Sequence, residues 1–232
     1  MNILIIPARG GSKRIPRKNI KKFKGKPIIE RTINAVKNLN FFQKIIVSTD
    51  DEEIAEIASS SGAEIPFLRP KDLSDDFANT RDVILHAIKW YEFKSIKFDK
   101  VCCLYPTAVL VDPNDLLKAI TLLGTKDTQK YVFSAISYPY PIQRAFYLDK
   151  KGFSKMVSKE NYVKRSQELN DAYHDAGQFY LASSNTWLNN NNILDGARPL
   201  IIPRWRGIDI DTEEDWEMAE FLYEFISNQK LN

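Results

Sequence analysis

Leu4-Ile5-Ile6-Pro7-Ala8-Arg9-Gly10-Gly11-Ser12-Lys13-Arg14-Ile15-Pro16-Arg17-Lys18-Asn19 is the stretch on which the reading of this chain turns. Ile3 to Ile6 is an unbroken apolar run, the pattern of a strand covered on both faces of a parallel sheet. The run stops at Pro7 and passes into a loop, Ala8-Arg9-Gly10-Gly11-Ser12-Lys13, with adjacent glycines. Arg9, Lys13, Arg14, Arg17 and Lys18 charge this region, and no carboxylate interrupts it. Glycine lets backbone N–H groups approach a ligand, and a concave set of N–H groups flanked by fixed cations suits a polyphosphate. At the C-terminal end of an inner parallel strand, the loop lies where open α/β sheets bind ligands. It is neither a Walker A loop nor the Gly-x-Gly-x-x-Gly dinucleotide fingerprint. The other reading of these residues is a solvated basic face or an RNA patch. The glycine pair and the buried strand before it favour the phosphate loop, since a nucleic-acid arm requires neither.

The chain as a whole narrows the choice. Its 232 residues suffice for one sizeable domain with a small appendage, and 44% hydrophobic content supports a real core. A net charge of +3 is modest, and the basic character is local, with Lys21, Lys22, Lys24 and Lys26 extending the opening cluster. That distribution fits an anionic small molecule better than a nucleic-acid duplex. Cys102 and Cys103 are adjacent in an apolar run, so on a strand they point to opposite faces and read as buried inert thiols. No secretory leader opens the chain and no stretch approaches a membrane span, so the expected location is cytoplasmic, with no membrane partner.

Along the chain the pattern alternates. Pro27 opens a helix with Ile29, Ile33 and Val36 on one face, ending near Asn40. Lys44 to Ser48 reads as a second buried strand. Asp50 or Asp51 caps the next helix, which buries Ile54, Ile57 and Ala58 and stops at Gly62. These βα units with short connections point to a parallel sheet built by right-handed crossovers. Ile65 to Leu68 reads as a third strand, and a helix with Val83, Ile84, Ala87, Ile88 and Tyr91 on one stripe follows. His86, beside that stripe, reads as structural. Val101 to Leu104 is a fourth strand ending in Tyr105-Pro106-Thr107. Asp112-Pro113-Asn114-Asp115 starts a helix, with an acid three residues after the cap. Tyr131 to Ser137 is the next strand. From Tyr138 to Tyr173 the helical period fails and short aromatic strands are expected at Tyr138–Pro141 and Ala145–Leu148, with a hairpin tip at Lys150-Lys151-Gly152. Such an arm cannot bury its own aromatics and must pack on the body or on another subunit. Asp175 to Leu181 returns to the core as a strand.

Arg206-Gly207-Ile208-Asp209-Ile210-Asp211-Thr212 reads as a short strand with apolar and acidic residues alternating. Residues i and i+2 on a strand share a face, so Asp209 and Asp211 present two carboxylates side by side. Thr212 caps a final helix, with Asp215 three residues on, that buries Trp216, Ala219, Leu222 and Ile226. Two readings of the acids stay open. In one, Asp211 assists the cap and Asp209 is solvated. In the other the pair holds magnesium, which takes one or two carboxylates and completes its shell with phosphate oxygens and water.

Several motifs together resemble the cytidylyltransferases that activate nonulosonic acids, the CMP-sialic acid synthetase group. They are Ile-Pro-Ala-Arg-Gly-Gly-Ser-Lys at 6–13, Pro16 with Lys18-Asn19, Ile-Val-Ser-Thr-Asp at 46–50, Arg69-Pro70, and Ile-Asp-Ile-Asp-Thr at 208–212. The resemblance spans nearly the whole chain. It implies an α/β, three-layer nucleotidyltransferase, Rossmann-like with a mostly parallel sheet. Residues 1–137 and 174–232 would be the core and 138–173 a small β-rich dimerisation arm, giving a homodimer. Arg9 and Lys18 would hold the triphosphate of CTP within the loop Ala8, Gly10, Gly11, Ser12 and Lys13. Asn19 would contact the base, Arg69 would help at the nucleotide, and Asp209 and Asp211 would hold Mg2+. Arg165 and Gln167 match positions near the sugar.

The family's sialic acid enzymes read Leu-Gln-Pro-Thr-Ser-Pro-Leu-Arg where this chain has Leu104-Tyr105-Pro106-Thr107-Ala108-Val109-Leu110-Val111. Arg14 with Arg17, and Tyr173-His174-Asp175-Ala176-Gly177-Gln178-Phe179-Tyr180, resemble instead the branch that acts on pseudaminic acid. This adds Tyr105, His174, Gln178 and Tyr180 to the expected sugar site and makes that site more apolar. The implied reaction is CMP transfer from CTP to the anomeric hydroxyl of a nine-carbon keto acid, with pyrophosphate released. Legionaminic, sialic and ketodeoxyoctonic acids are the alternative acceptors. A non-catalytic nucleotide- or RNA-binding protein is the rival from another class, and it leaves the paired acids unexplained.

Overall fold

The computed structural model describes residues 1–75, 78–124 and 130–229. In chain order the elements are β1 (Asn2–Pro7), β2 (Lys22–Phe23), β3 (Lys26–Pro27), α1 (Ile28–Val36), β4 (Lys44–Ser48), α2 (Glu52–Ser60), α3 (Thr80–Phe93), β5 (Lys100–Leu104) and α4 (Pro113–Leu123). They continue as β6 (Val132–Ser137), β7 (Phe146–Leu148), β8 (Ser154–Met156), β9 (Tyr173–Ser183), α5 (Ser184–Asn189), β10 (Arg198–Ile201) and α6 (Glu213–Gln229). Among the described residues the central sheet has six strands in the order β10-β6-β9-β5-β1-β4. Only β9 runs against its neighbours, pairing antiparallel with both β5 and β6. β1 lies between β4 and β5, parallel to both.

That position explains the opening apolar run. Leu4 and Ile6 face a layer made by α1, α2 and α4, with Ile29, Ile33, Ile54, Ala58 and Leu116. Ile3 and Ile5 face α3 and α5, with Ile84, Ala87, Ile88 and Trp187. Ile3 to Ile6 are all fully buried, so alternation along the strand is hidden by burial on both sides. Each such side chain contributes roughly 1.5–3 kcal/mol from burial. Cys102 joins the first layer and Cys103 the second, and burial pushes both thiols up in pKa. A third cluster, Ile15, Phe23, Ile28, Val109, Leu110, Ile210, Trp216 and Ala219, fastens the loop after β1 to α6.

The structure corrects several expectations. Residues 65–68 form no strand, and only isolated bridges at Glu64 and Leu68 touch the β4 side. Pro66 lies between the bridges and has no N–H to give a ladder. Tyr138–Pro141 is not a strand either, with Pro139 and Pro141 lacking donors. α1 ends at Val36 rather than near Asn40. β10 and α5 have no counterpart in the sequence reading. β10 carries Pro199, which is tolerated because β10 is the edge strand of the sheet, paired only to β6. α5 is six residues long and mostly polar, but Ser183 caps it and Trp187 is fully buried, its indole donating to the Val101 carbonyl at 3.0 Å.

β7 and β8 form their own hairpin, closed by Asp149, whose side chain accepts from the N–H groups of Lys151 and Phe153 at 2.9 and 3.1 Å. Phe146, Tyr147, Leu148, Phe153, Tyr162 and Val163 are exposed around it. No helix among the described residues is long and apolar enough to cross a membrane.

Candidate active site at the C-terminal end of the sheet

The cleft forms where the chain changes direction across the sheet, since β4 flanks β1 on one side and β5 on the other. Segments leaving the C-terminal ends of β1 and β5 wall a space of about 580 Å3, and Asp209 and Asp211 close it from the segment before α6. Arg9, Ser12, Lys13, Arg14, Lys18 and Asn19 line it from the first side, and Tyr105, Pro106 and Thr107 from the second.

Local contacts set the loop's shape. The Gly10 N–H donates to Asp50 Oδ1 at 3.0 Å. A Cβ on Gly10 would meet Asp51 Oδ2 at 2.6 Å, so this glycine is required by close approach, whereas one on Gly11 would meet nothing within 4 Å. Asp51 is the acid that caps α2, accepting from the Ile54 N–H at 3.0 Å. The Arg17 guanidinium beside it holds its carboxyl below the usual carboxylate range. Arg17 adopts φ 54° and also reaches Glu53 at 2.5 Å, which turns the chain toward Lys18. Asn19 is buried and its amide donates to the Arg9 carbonyl at 2.9 Å, tying the two halves of the loop together. Arg9 itself donates to the Asp75 carbonyl at 3.0 Å.

Arg69 is 6% exposed and lies 3.6 Å from Asp50 Oδ1. Its Nε and Nη2 have no hydrogen-bond partner, and burial lowers its pKa. Asp50 thus joins Gly10 and Arg69, a link between segments distant in sequence that spacing along the chain does not show.

The segment 207–211 is not a strand. Gly207 packs so tightly that a Cβ would meet Ile136 Cγ2 at 2.7 Å, and Ile210 is fully buried, so the segment crosses the sheet's end instead of adding an edge. Both carboxylates still line the one cleft. Lys18 Nζ donates to the Ile210 carbonyl at 2.5 Å and lies 3.3 Å from Asp211 Oδ1, and Arg14 reaches the same oxygen at 2.7 Å. Asp215 accepts from the Thr212 N–H at 2.8 Å while Thr212 Oγ1 accepts from the Asp215 N–H at 3.2 Å, a capping box that starts α6 without using the Asp211 side chain. Asp209 is solvent-accessible but set among protein, and Gly177, at φ 62°, leaves room for it: a Cβ there would meet Asp209 Cγ at 3.1 Å. Burial first, and then repulsion from Asp211, raise the Asp209 carboxyl above its ordinary value.

That shift predicts a stability effect. A raised folded-state pKa means the ionised carboxyl opposes folding, so the penalty is absent at low pH, where Asp209 is protonated, and grows as pH rises through the window above the ordinary carboxylate range. Asp209→Asn is therefore expected to raise Tm at neutral pH, with the advantage shrinking as pH falls. Melting curves at several pH values check this, and an equal Tm difference at every pH would overturn it.

Among the described residues no cluster of three or more His, Cys, Asp and Glu side chains could hold a metal on its own. Two carboxylates open to a cation-lined cleft fit instead a hard cation that shares its shell with phosphate oxygens and water.

The residues expected near a sugar are divided. Tyr105 lines the cleft and also a neighbouring one of about 890 Å3 with Thr80, Arg81, Asp175, Tyr180, Ile193 and Leu194. Its hydroxyl and that of Thr80 are 2.7 Å apart, and burial pushes its pKa up to about 12. The Tyr180 hydroxyl donates to Asp175, which also accepts the Gly177 N–H at 2.9 Å. Gln178 is 1% exposed and does not face the cleft. Its amide donates to the Arg206 carbonyl at 2.5 Å. His174 lies half-buried against Tyr138, with ring centroids 4.6 Å apart, outside both clefts. Arg165 and Gln167 are exposed on the arm and line neither. Ala108 to Val111 are core residues, packed against Trp216, Leu116 and their neighbours, so they do not make the cleft more apolar. Of this stretch only Tyr105 to Thr107 line the cleft.

Known proteins resemble this chain over nearly its whole length. The cytidylyltransferase family model matches residues 3–225. The pseudaminic acid cytidylyltransferase of Campylobacter jejuni is 45% identical over 223 residues, covering 96% of each chain. The CMP-N,N'-diacetyllegionaminic acid synthase of Legionella pneumophila is 31% identical over 229 residues, covering 97% of each. A solved CMP:2-keto-3-deoxy-manno-octonic acid synthetase, in complex with CTP, shares the fold with a TM-score of 0.68 at 16% identity, over 95% of this chain and 97% of its own. With a family model spanning the sheet, the loop and the paired acids alike, this chain belongs to the cytidylyltransferase family.

Proposed function

We propose that this protein transfers CMP from CTP to the anomeric hydroxyl of pseudaminic acid. The hydroxyl oxygen forms a bond to the α-phosphorus of CTP, the bond to the β-phosphate oxygen breaks, pyrophosphate leaves with the electron pair, and the hydroxyl proton is lost. The carrying observation is the convergence of Arg9, Lys13 and Lys18 with Asp209 and Asp211 in one cleft at the switch point of the sheet. The 45% identity to an enzyme named for this substrate chooses the acceptor.

The reaction asks the protein for alignment and charge stabilisation. Arg9 and Lys18 are assigned to the triphosphate and to the charge that builds on leaving pyrophosphate. The loop Ala8 to Lys13 wraps the phosphates. Arg69, buried and 3.6 Å from Asp50 Oδ1, supports the nucleotide side. Asn19 is assigned to the base side, although its amide already holds the Arg9 carbonyl, so its contribution includes shaping the loop. Asp209 and Asp211 would hold a divalent ion, for which magnesium is proposed. When bound, that ion supplies charge neutralisation at the phosphates and acidifies the attacking hydroxyl. The acceptor is placed in the adjoining cleft, where Tyr105 is shared and Tyr180, Ile193 and Leu194 offer a mixed polar and apolar wall.

Incubation with CTP, magnesium and pseudaminic, legionaminic or sialic acid tests the assignment, with CTP saturating. The expected order of kcat/KM puts pseudaminic acid first. One methyl in an apolar pocket is worth only about 1–3 kcal/mol, whereas polar groups left without partners discriminate more strongly. The preference is therefore expected to be clear without being absolute. Equal or better use of sialic acid would remove the acceptor assignment and leave the cytidylyl transfer standing.

The arm, 138–173, is proposed to join two copies into a homodimer, because its exposed Phe146, Tyr147, Leu148 and Phe153 have no cover in a single chain. A place for Arg165 and Gln167 near the sugar requires such a partner, since neither lines a cleft of its own chain. Light scattering at micromolar concentration is expected to give twice the chain mass, and a monomeric mass refutes the assembly.

A further inference from the structure

The segment that carries Asp209 and Asp211 has no place in the sheet's ladder, so side chains must hold it. At its far end the Asp215 carboxylate accepts from the Asp211 and Thr212 N–H groups at 3.1 and 2.8 Å. At its near end the holding residue is Arg206. Its side chain is 10% exposed and ion-paired to Asp115 at 2.5 Å, with Asp112 at 3.7 Å. Asp115, the acid that the sequence places in the α4 cap, has a side chain only 3% exposed and turned to this arginine, with its other oxygen accepting from Lys118 at 3.3 Å, while Asp112 caps α4 through the Asn114 N–H at 2.9 Å. The Arg206 carbonyl accepts from buried Gln178 at 2.5 Å, and the Gln178 carbonyl accepts from the Tyr105 N–H at 2.9 Å. Gly207, the next residue, is wedged against Ile136 and Ala176 with no room for a Cβ. A buried ion pair is weak evidence for stability by itself, since apolar replacements of both partners are often tolerated. Its documented use is to fix one arrangement among several.

We propose that Arg206, Asp115 and Gln178 are positioning residues that set where Asp209 and Asp211 stand in the cleft. The proposal rests on the reading of those acids as metal ligands. Arg206 fixes the segment's start through α4, and Gln178 fixes the same residue's backbone through β9, next to the strand end that presents Tyr105. The carboxylate pair is thereby referenced to both walls of the cleft.

The test measures Mn2+ affinity of the full-length protein with CTP and no acceptor, by paramagnetic resonance, beside Tm. Arg206→Met is expected to lower Tm and weaken Mn2+ binding at least fivefold, with Arg206→Lys recovering part of both. Arg206→Met combined with Asp115→Leu removes both buried charges, and the groups that lose a partner, Lys118 and Asp112, reach solvent, so Tm is expected to recover while Mn2+ affinity stays low. Gln178→Met, which removes the hydrogen bond to the Arg206 carbonyl along with an amide oxygen that is buried without a partner, is expected to weaken Mn2+ binding in the same direction and carries the test if Arg206→Met does not fold. Recovery of affinity together with Tm in the double variant would make the pair purely structural and overturn the proposal, as would unchanged affinity in Arg206→Met or Gln178→Met. Asp211→Asn run in parallel separates the two readings. If it binds Mn2+ as the parent does, the metal assignment itself fails. If it loses Mn2+ while the double variant retains it, only the positioning role fails.

Discussion

Asp211→Asn is expected to lower turnover at least about a hundredfold while leaving the fold intact, the scale seen when a metal ligand or a charge stabiliser is lost. The fold should survive because the Asp211 side chain has no part in starting α6. Its backbone N–H donates to Asp215 at 3.1 Å, and the amide variant keeps that donor. What the variant removes is the negative charge that meets Arg14 at 2.7 Å and Lys18 at 3.3 Å. Both cations then lose an anchor at the site where phosphates are proposed to sit. Circular dichroism and Tm check folding, and initial rates across a magnesium titration check function. Near-normal turnover with ordinary magnesium dependence would sink the assignment of Asp211.

Lys18→Ala is expected to reduce kcat by about 10²–10³, the range for removing one donor aimed at charge that develops in the transition state. Lys18 is well placed for this role. Its side chain is 20% exposed, and its ammonium lies between the loop after β1 and the Ile210–Asp211 segment, 2.5 Å from the Ile210 carbonyl. Under the proposed reaction, a cation held there would act on the leaving pyrophosphate without needing to move. It also braces the acidic segment, so the half-saturating magnesium concentration is expected to rise in the same variant. Steady-state kinetics with CTP varied decides between roles. A rise in KM for CTP with unchanged kcat would show that Lys18 contributes uniform binding only.

Sequence reasoning was strong where the signal lies between near neighbours in the chain. Ile3 to Ile6 could be read because burial on both faces leaves an unbroken apolar run, and the Gly10-Gly11 loop because its composition suits so few tasks. The caps at Asp112 and Thr212 were legible, and that of α2 was narrowed to Asp50 or Asp51, because capping is a contact between residues two or three apart. Local chemistry of this kind determines the α/β class, the βα repeats and the likeness to cytidylyltransferases.

Contacts between distant residues were not legible, for a physical reason. Asp115 has the spacing of a capping acid, yet a buried arginine ninety-one positions away takes it instead, because pairing an otherwise isolated buried charge outweighs a surface cap. Gln178 carries a polar side chain in a motif shared with a sugar-handling branch, yet its strand turns it inward to the Arg206 carbonyl. Asp209 and Asp211 alternate like strand residues, yet the tight packing of Gly207 on Ile136 carries them across the sheet's end. Ala108 to Val111 differ from the related sialic acid motif, yet they fill the core. The sequence by itself determined the family likeness, the α/β class and the strongly patterned helices and inner strands. Only the tertiary structure decided which of those groups share the cleft, because side-chain direction at the end of a strand depends on what packs there from elsewhere in the chain.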